Sequence, residues 1–350
     1  MIPPLSTPAL VVDLDVFDAN VGAMNELLRG TGKTVRPHVK THRTPELAKR
    51  QLGEFAVGVT CATVGEAEAM VGAGIRDALI ANEVVDEAKL ARVVALAREA
   101  KITLAADDPG PLQALSRLAA NAGVTVGVLI DVDVLLHRCG VASVSEALAL
   151  AEVIEAAPGV RLEGVMGYEG RMRLGADRRD ERIAGAHAFL DEVRDALIAA
   201  GHHVEVVSSA GTSTIREALA APHVTELQAG VYCVMEPELL PMGLPFRCAV
   251  TVRGTVISRH PGHFVTDVGR RVVGLEYGPP VPLGIVATNI AMSDEHMTVT
   301  VAEPPPPLGA HVEFIPGQIR TTFNLHDRVW VSRGGEIVDC WPVSARGASQ

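Results

Sequence analysis

The stretch Arg36-Pro37-His38-Val39-Lys40-Thr41-His42 decides how the rest of the chain is read. It is a short β-branched and basic run with prolines on its flanks, and it places Lys40 where an extended segment should end. A lysine fixed at the carboxyl end of a strand in an apolar surround is a poor structural choice. Desolvation lowers the pKa of an amine, which suits a lysine that must hold an aldehyde cofactor as a Schiff base and later act as a base. A rim lysine in a surface turn is the structural alternative. The remainder of the chain decides between them.

Working outward, residues 34–40 are the first of eight β-branched or apolar runs. The others are 56–61, 78–81, 102–105, 125–132, 161–167, 204–208 and 224–227. Ala/Leu/Glu-rich stretches separate them, and spacers such as 86–100, 109–122, 144–156 and 179–200 are long enough to be crossover helices, so the strands they join are parallel. An extended run at 10–14 and a helix at 15–29 precede the series, and a helical stretch at 44–52 follows its first strand. Eight β/α units in succession predict a (β/α)8 TIM-like barrel. A doubly wound open sheet is the structural alternative.

After residue 236 the texture changes. Pro237, Pro241, Gly243 and Pro245 interrupt any helical period, and short β-rich runs at 248–257, 297–301, 312–315, 328–332 and 337–342 are separated by turns. This reads as a second, all-β domain, with prolines at 304–307 forming a stiff loop. The expected division is a barrel over 15–235 and a β domain made of 1–14 and 236–350.

Composition agrees with this plan. A chain of 350 residues exceeds one ordinary compact domain. With 48% apolar but only 3% aromatic residues, the core must be built from Ala, Val, Leu and Ile, which suits helices packed on buried parallel strands. A net charge of −11 argues against nucleic acid or an anionic membrane as partner, so a small substrate is expected. The five cysteines show no CxxC spacing and read as thiols of a reducing compartment, neither a disulfide framework nor a zinc knuckle. The amino terminus has no basic start followed by an apolar run, and no segment approaches the length of a membrane span. A soluble, cytoplasmic protein is expected.

In a barrel, chemistry lies at the carboxyl ends of the strands, and the loops after strands seven and eight commonly take a phosphate. Here those loops are Ser208-Ser209-Ala210-Gly211-Thr212-Ser213 and Gln228-Ala229-Gly230-Val231-Tyr232. Small residues let backbone amides approach an anion, and hydroxyls add donors. One Gly/Ser/Thr loop is weak evidence; two at the right strand ends are stronger. A lysine and a phosphate cradle in one barrel mouth are what pyridoxal 5'-phosphate requires.

The run Arg36–His42, then Val64-Gly65-Glu66-Ala67-Glu68, Ile80-Ala81-Asn82-Glu83, Asp131-Val132-Asp133 with His137-Arg138-Cys139-Gly140, the Gly211-Thr212 loop, and Thr322-Phe323-Asn324-Leu325-His326-Asp327 with Trp341-Pro342-Val343 and Ala345-Arg346-Gly347 occur in order over nearly the whole chain. Together they resemble the D-threonine aldolase and D-serine dehydratase group of enzymes with the alanine racemase fold. The resemblance implies that Lys40 is the Schiff-base lysine, that Arg138 lies near the phenolic oxygen of pyridoxal phosphate, and that Tyr168 flanks its ring. It further implies that Ser209, Gly211, Thr212, Gly230 and Tyr232 hold the phosphate. A barrel plus β domain is implied too, as is a homodimer whose active sites are completed by the partner's β domain.

The departures bear on the reaction. Aldolases and dehydratases of this group usually carry a His-x-Asp or His-x-Cys pair before the Asn-Leu-His-Asp run, binding a divalent metal that grips the β-hydroxyl. The corresponding string here is Pro316-Gly317-Gln318-Ile319-Arg320-Thr321-Thr322, with Gln318 and Arg320 at the ligand positions. An amide oxygen is a feeble ligand and a guanidinium has no lone pair to give, so no metal is expected. The aldolases also place a histidine shortly after the tyrosine matching Tyr168, and Leu174 falls there.

Other residues admit two readings. His296, after Asp294-Glu295, is a solvated turn residue or an acid/base. His38 reads as structural and His42 is undecided. Cys139 reads as a packed thiol without a partner base. Arg171 and Arg173 are a solvated basic loop or a receptor for a substrate carboxylate. Three functions remain open: a lyase on a β-substituted, D- or β-hydroxy amino acid in which Arg320 stands in for the metal; a metal-free racemase or epimerase using Lys40 on one face and Tyr168, Tyr277 or His296 on the other; and a cofactor-binding protein without turnover, which the extra β domain argues against.

Overall fold

The computed structural model describes residues 5–350, so residues 1–4 of the β domain expected at 1–14 lie outside the described residues. The described chain begins with strand β1 (Ala9–Asp13) and helix α1 (Leu14–Leu28). Strands β2 (Thr34–Val35), β3 (Val59–Cys61), β4 (Asp77–Glu83), β5 (Lys101–Ala106), β6 (Val126–Asp131), β7 (Val160–Met166), β8 (Val206–Ser209) and β9 (Glu226–Leu227) follow. Between them run α2 (Pro45–Gln51), α3 (Val64–Gly72), α4 (Glu87–Leu96), α5 (Pro109–Ala122), α6 (Val144–Glu155), α7 (Arg179–Ala199) and α8 (Ile215–Ala220).

Local chemistry explains where the helices begin. Thr63, Asp86, Asp108 and Ser143 each stand just before a helix, and each side chain accepts a backbone N–H of the first turn, which would otherwise lack a partner. The strands are uniformly parallel, in the order β2-β9-β8-β7-β6-β5-β4-β3. The ring is closed by parallel bridges from Val35 to Ala56 and from His38 to Thr60. All eight expected runs carry a strand, and closure excludes the doubly wound alternative. Leu79, Ala105, Leu129 and Met166 meet in one buried cluster, four aliphatic side chains from four neighbouring strands.

The first strand is shorter than expected. Only Thr34 and Val35 form a ladder; Pro37 has no N–H to give it, and the chain coils into a 3₁₀ turn at Val39–Thr41. Lys40 therefore sits on that turn, past the strand and not at its last residue. The segment is tied down by Arg36. Its Nε lies 2.8 Å from Glu226 Oε2, its Nη1 pairs with Asp77, and Ser208 Oγ donates to Glu226 Oε1 at 2.7 Å.

The remaining strands are β10 (Val250–His260), β11 (His263–Thr266), β12 (Val281–Pro282), β13 (Ala287–Met292), β14 (Met297–Val301), β15 (His311–Ile315), β16 (Arg328–Arg333) and β17 (Glu336–Pro342). They form a sheet with the order β13-β14-β11-β10-β1-β16-β17, and β15 pairs with β10 and β12. Val250, Val252 and Val256 point inward at alternate positions of β10, the period of a half-buried strand. A helix, α9 (Ile319–Leu325), interrupts these strands, so the expected all-β domain is mostly sheet.

By its internal contacts the chain divides into two compact units. One comprises the chain up to Met24, Thr41–Leu47 and Val231–Gly347; the other comprises Asn25–Lys40, Ala48–Gly230 and Ala348–Gln350. The chain thus passes between units more often than a division at 15 and 236 implies. Among the described residues no helix is long and apolar enough to cross a membrane.

Candidate active site

In the barrel unit, the carboxyl ends of β7, β8 and β9 bring four of the expected residues together. Gly211 lies so close to Tyr168 that a Cβ there would stand 3.2 Å from Tyr168 Cε2 and 3.3 Å from its hydroxyl oxygen. The ring of Tyr168 thus lies directly on the loop after β8. That loop is internally braced: Gly211 N–H donates to Thr214 Oγ1 at 3.1 Å, and Ala210 adopts φ 71°. Thr212, buried, opens a 3₁₀ turn that runs into α8. Gln228 N–H donates to Ser209 O at 2.9 Å, lacing the loop after β9, which carries Gly230, to the loop after β8.

Ser209 departs from expectation. Its hydroxyl does not face outward as a donor for an anion; it lies 2.8 Å from Gly167 O and 3.2 Å from Glu169 Oε2. The physical reason is burial, at 2% exposure, which obliges the hydroxyl to find partners inside. Tyr232 belongs to the other unit, on the 3₁₀ turn Val231–Cys233; it is fully buried with its ring 5.6 Å from that of Phe246.

Arg138 is exposed, on the loop after β6. Its charge acts on Asp131, whose carboxyl is nevertheless held well above the usual carboxylate range by burial and by a hydrogen bond to Glu83. Burial, reinforced by Glu83, also pushes the Cys139 thiol up to about 11, so Cys139 is no thiolate nucleophile at neutral pH. Donor atoms of Glu83, Asp107 and Cys139 lie within 4.8 Å of one another. Sequence reasoning assigned these carboxyls no task. The signal was present, since Glu83 and Asp131 end β4 and β6 and Asp107 directly follows β5.

Glu169, next to Tyr168, was missed as well. It is fully buried, and burial raises its carboxyl above the ordinary value. Only the fold shows that its side chain is enclosed.

In the sheet-rich unit, Arg320 is the second residue of α9. Its Nη2 donates to Tyr277 Oη at 2.9 Å, its guanidinium lies 5.8 Å from the centre of that ring, and Nε is 3.9 Å from Oε1 of the fully buried Glu236. Glu236 Oε1 also accepts Ile319 N–H at 3.2 Å. Gln318 is the helix cap, with its amide oxygen accepting Thr321 N–H. That oxygen thus serves the first turn of the helix.

His42 Nδ1 accepts Thr44 N–H at 3.1 Å and its ring stands edge-on to Phe323, which gives it a structural place. His38 is mostly buried and bridged to Thr60. His296 lies in the exposed turn between β13 and β14, and Leu174 is 63% exposed in the loop before α7 with Arg171 half-buried and Arg173 exposed.

These residues fit pyridoxal phosphate. The absent Cβ of Gly211 leaves room for Tyr168 to come against the loop, and the half-buried Lys40 belongs to the same unit.

Two family models match the chain: the alanine racemase N-terminal domain over residues 12–237 and a putative serine dehydratase domain over residues 249–332. The chain is 38% identical to a D-threonine aldolase of an Arthrobacter species, over 99% of this chain and 94% of that protein. It is 31% identical to a 3-hydroxy-D-aspartate aldolase of Paracoccus denitrificans, over 98% and 92%. The crystal structure of the D-threonine aldolase of Filomicrobium marinum superposes with a TM-score of 0.94 at 34% identity, covering 99% of this chain and 97% of that one.

Proposed function

We propose, for a chain that belongs to the D-threonine aldolase group of pyridoxal phosphate-dependent enzymes with the alanine racemase fold, a division of labour among its residues in cleaving a β-hydroxy D-amino acid with an acidic side chain. The chain is a lyase of a family acting on small amino acids. Lys40 holds the cofactor. Gly211, Thr212, Gly230, Tyr232 and the backbone of Ser209 take its phosphate, Tyr168 flanks its ring, and Arg138 lies near its phenolic oxygen. The packing of Tyr168 on Gly211 beside two laced loops carries this reading.

Bound there, the cofactor supplies a conjugated ring that accepts the electron pair left when a bond to Cα breaks. Lys40 Nζ handles the proton at Cα. Arg320 receives an anionic substituent at the β or γ position: its guanidinium is braced by the Tyr277 hydroxyl and by Glu236, and a braced guanidinium grips a carboxylate in two-pronged fashion. The Paracoccus relative acts by name on 3-hydroxy-D-aspartate, whose β-carboxylate is such a group. With Gln318 engaged as a cap and Arg320 supplying positive charge, no divalent ion is needed in this loop.

A metal-independent racemase or epimerase is the second reading. It is favoured by Leu174 at the position where the aldolases carry a histidine, and it needs only proton transfer at Cα, with Tyr168, Tyr277 or His296 opposite Lys40. We further place the cofactor in the barrel over 15–235, with 1–14 and 236–350 as the β domain, in a cytoplasmic homodimer whose sites the partner's β domain completes; the five free cysteines support a reducing compartment.

The test is incubation with D- and L-β-hydroxy amino acids in deuterated water. Aldehyde release, glyoxylate from 3-hydroxy-D-aspartate, supports the aldol cleavage. Keto acid with ammonia would make the protein a dehydratase, and deuterium exchange at Cα without either product would make it an isomerase.

A further inference from the structure

Glu169 is a buried carboxyl group to which the proposed chemistry gives no task. It follows Tyr168 beyond β7, its exposure is 0%, and its Oε1 has no hydrogen-bond partner. Its Oε2 lies 3.2 Å from Ser209 Oγ, which in turn lies 2.8 Å from Gly167 O. A serine hydroxyl has one hydrogen, and the shorter contact, to a carbonyl that can only accept, claims it. The longer contact is then satisfied when the carboxyl group carries a proton and donates it to Ser209 Oγ. An ionised carboxylate here would keep one bare oxygen out of water, at a large desolvation cost.

Three elements face the group. Ser209 comes from the end of β8, Thr214 from the turn before α8, and His187 from α7; the Thr214 hydroxyl, the backbone N–H of Glu169 itself and His187 favour ionisation, yet burial outweighs them. We propose that Glu169 is a positioning residue kept in its neutral form beneath the loop from Ser209 to Thr214, so that the loop can take a phosphate dianion with no negative charge behind it. This rests on the reading that the loop holds the phosphate. The sign follows: a dianion nearby makes Glu169 harder to ionise, so ionisation of Glu169 as pH rises opposes phosphate binding, and binding in the range where it ionises takes up a proton.

The test uses the full-length protein freed of cofactor. Affinities for pyridoxal phosphate and for pyridoxal are read from visible absorbance, from neutral to alkaline pH, in the wild type and in Glu169→Gln. The ratio of the two affinities removes the contributions of Lys40 and of the ring, and comparison between proteins removes the phosphate's own ionisation. In the wild type the ratio should fall as pH rises by on the order of tenfold or more, the scale for unit charges several ångströms apart in a medium of intermediate dielectric. In Glu169→Gln it should stay level. An identical pH course in both proteins overturns the inference while leaving the phosphate loop standing. Equal affinity for pyridoxal and pyridoxal phosphate in the wild type overturns the loop reading and this inference together. Should Glu169→Gln fail to fold, calorimetry of the wild type in two buffers of different ionisation enthalpy, repeated over the same pH range, decides: proton uptake with pyridoxal phosphate that comes to exceed that with pyridoxal as pH rises supports the inference, and no excess at any pH overturns it.

Discussion

Replacing Gly211 with alanine should cost cofactor affinity while sparing the fold, and the size of the loss follows from one contact. Gly211 has φ −111° and ψ −177°, extended backbone open to any residue, so the substitution brings no backbone strain. Its added Cβ would stand 3.2 Å from Tyr168 Cε2 and 3.7 Å from Cζ. Carbon atoms prefer about 3.5–4.0 Å, so the ring must retreat by a few tenths of an ångström. Tyr168 is only half-buried, so it has room to retreat, at the expense of the position from which it is proposed to flank the cofactor. Overpacking of this kind costs about 1–3 kcal/mol, or about 5- to 140-fold in a dissociation constant. The assay is titration with pyridoxal phosphate followed by visible absorbance, alongside thermal unfolding. In a Tyr168→Ala background the ring is gone and Gly211→Ala should be silent, so the coupling between the two sites should equal nearly the whole loss. An equal loss in both backgrounds would refute the reasoning, as would a lowered melting temperature with unchanged affinity.

Lys40→Ala should abolish the visible absorbance that the wild type gains with pyridoxal phosphate; a band that persists would take the cofactor off Lys40. Activity should survive exhaustive chelation, with no stoichiometric divalent ion found by metal analysis. Loss of activity restored by manganese would show that Gln318 and Arg320 do not stand at the metal position. Arg320→Met should lower kcat/KM for 3-hydroxy-D-aspartate by about 10- to 150-fold, the worth of a charged hydrogen bond of about 1.5–3 kcal/mol, and lower it far less for D-threonine; equal losses would remove the carboxylate grip. Arg36→Met should destabilise the barrel by about 3–5 kcal/mol, because it strands Glu226, whose side chain is 4% exposed. Arg36→Met with Glu226→Leu should recover much of that in a urea titration, and a single-variant cost below about 1 kcal/mol would contradict the buried pair.

The barrel was legible because its signals are local and repeated. Each run from 34–40 to 224–227 is apolar or β-branched, and each spacer is long enough for a helix. What sequence could not show was how Pro37 cuts the first strand short and moves Lys40 onto a turn. In the sheet-rich unit, β14, β15, β16 and β17 announced themselves by apolar runs. β13 did not, since most of its side chains are at least partly exposed, and α9 has seven residues, too few for a helical period to register. The two loops proposed to take the phosphate stood out because barrel geometry says where to look. Glu169 could not, because its burial is made by Ser209, Thr214 and α7, all distant in sequence.

Gln318 and Arg320, which the resemblance sets at the family's metal position, play unlike parts, and that difference is itself informative. Gln318 has become a helix cap, so its side-chain oxygen serves the first turn of α9 whether or not any ligand is present. Arg320, two residues onward, brings a fixed charge, and a fixed charge needs bracing. Glu236, fully buried, supplies it at 3.9 Å while also accepting the Ile319 N–H, so the start of α9 and the guanidinium share one carboxylate. A buried carboxylate is costly without a cation beside it, and a guanidinium is aimed well only when held. The consequence for chemistry is selective. A divalent ion can coordinate a neutral β-hydroxyl directly, whereas a guanidinium binds best to a planar anion. On the proposed reading, exchanging one for the other should move preference from threonine toward substrates that carry their own carboxylate, and should make the activity indifferent to chelators.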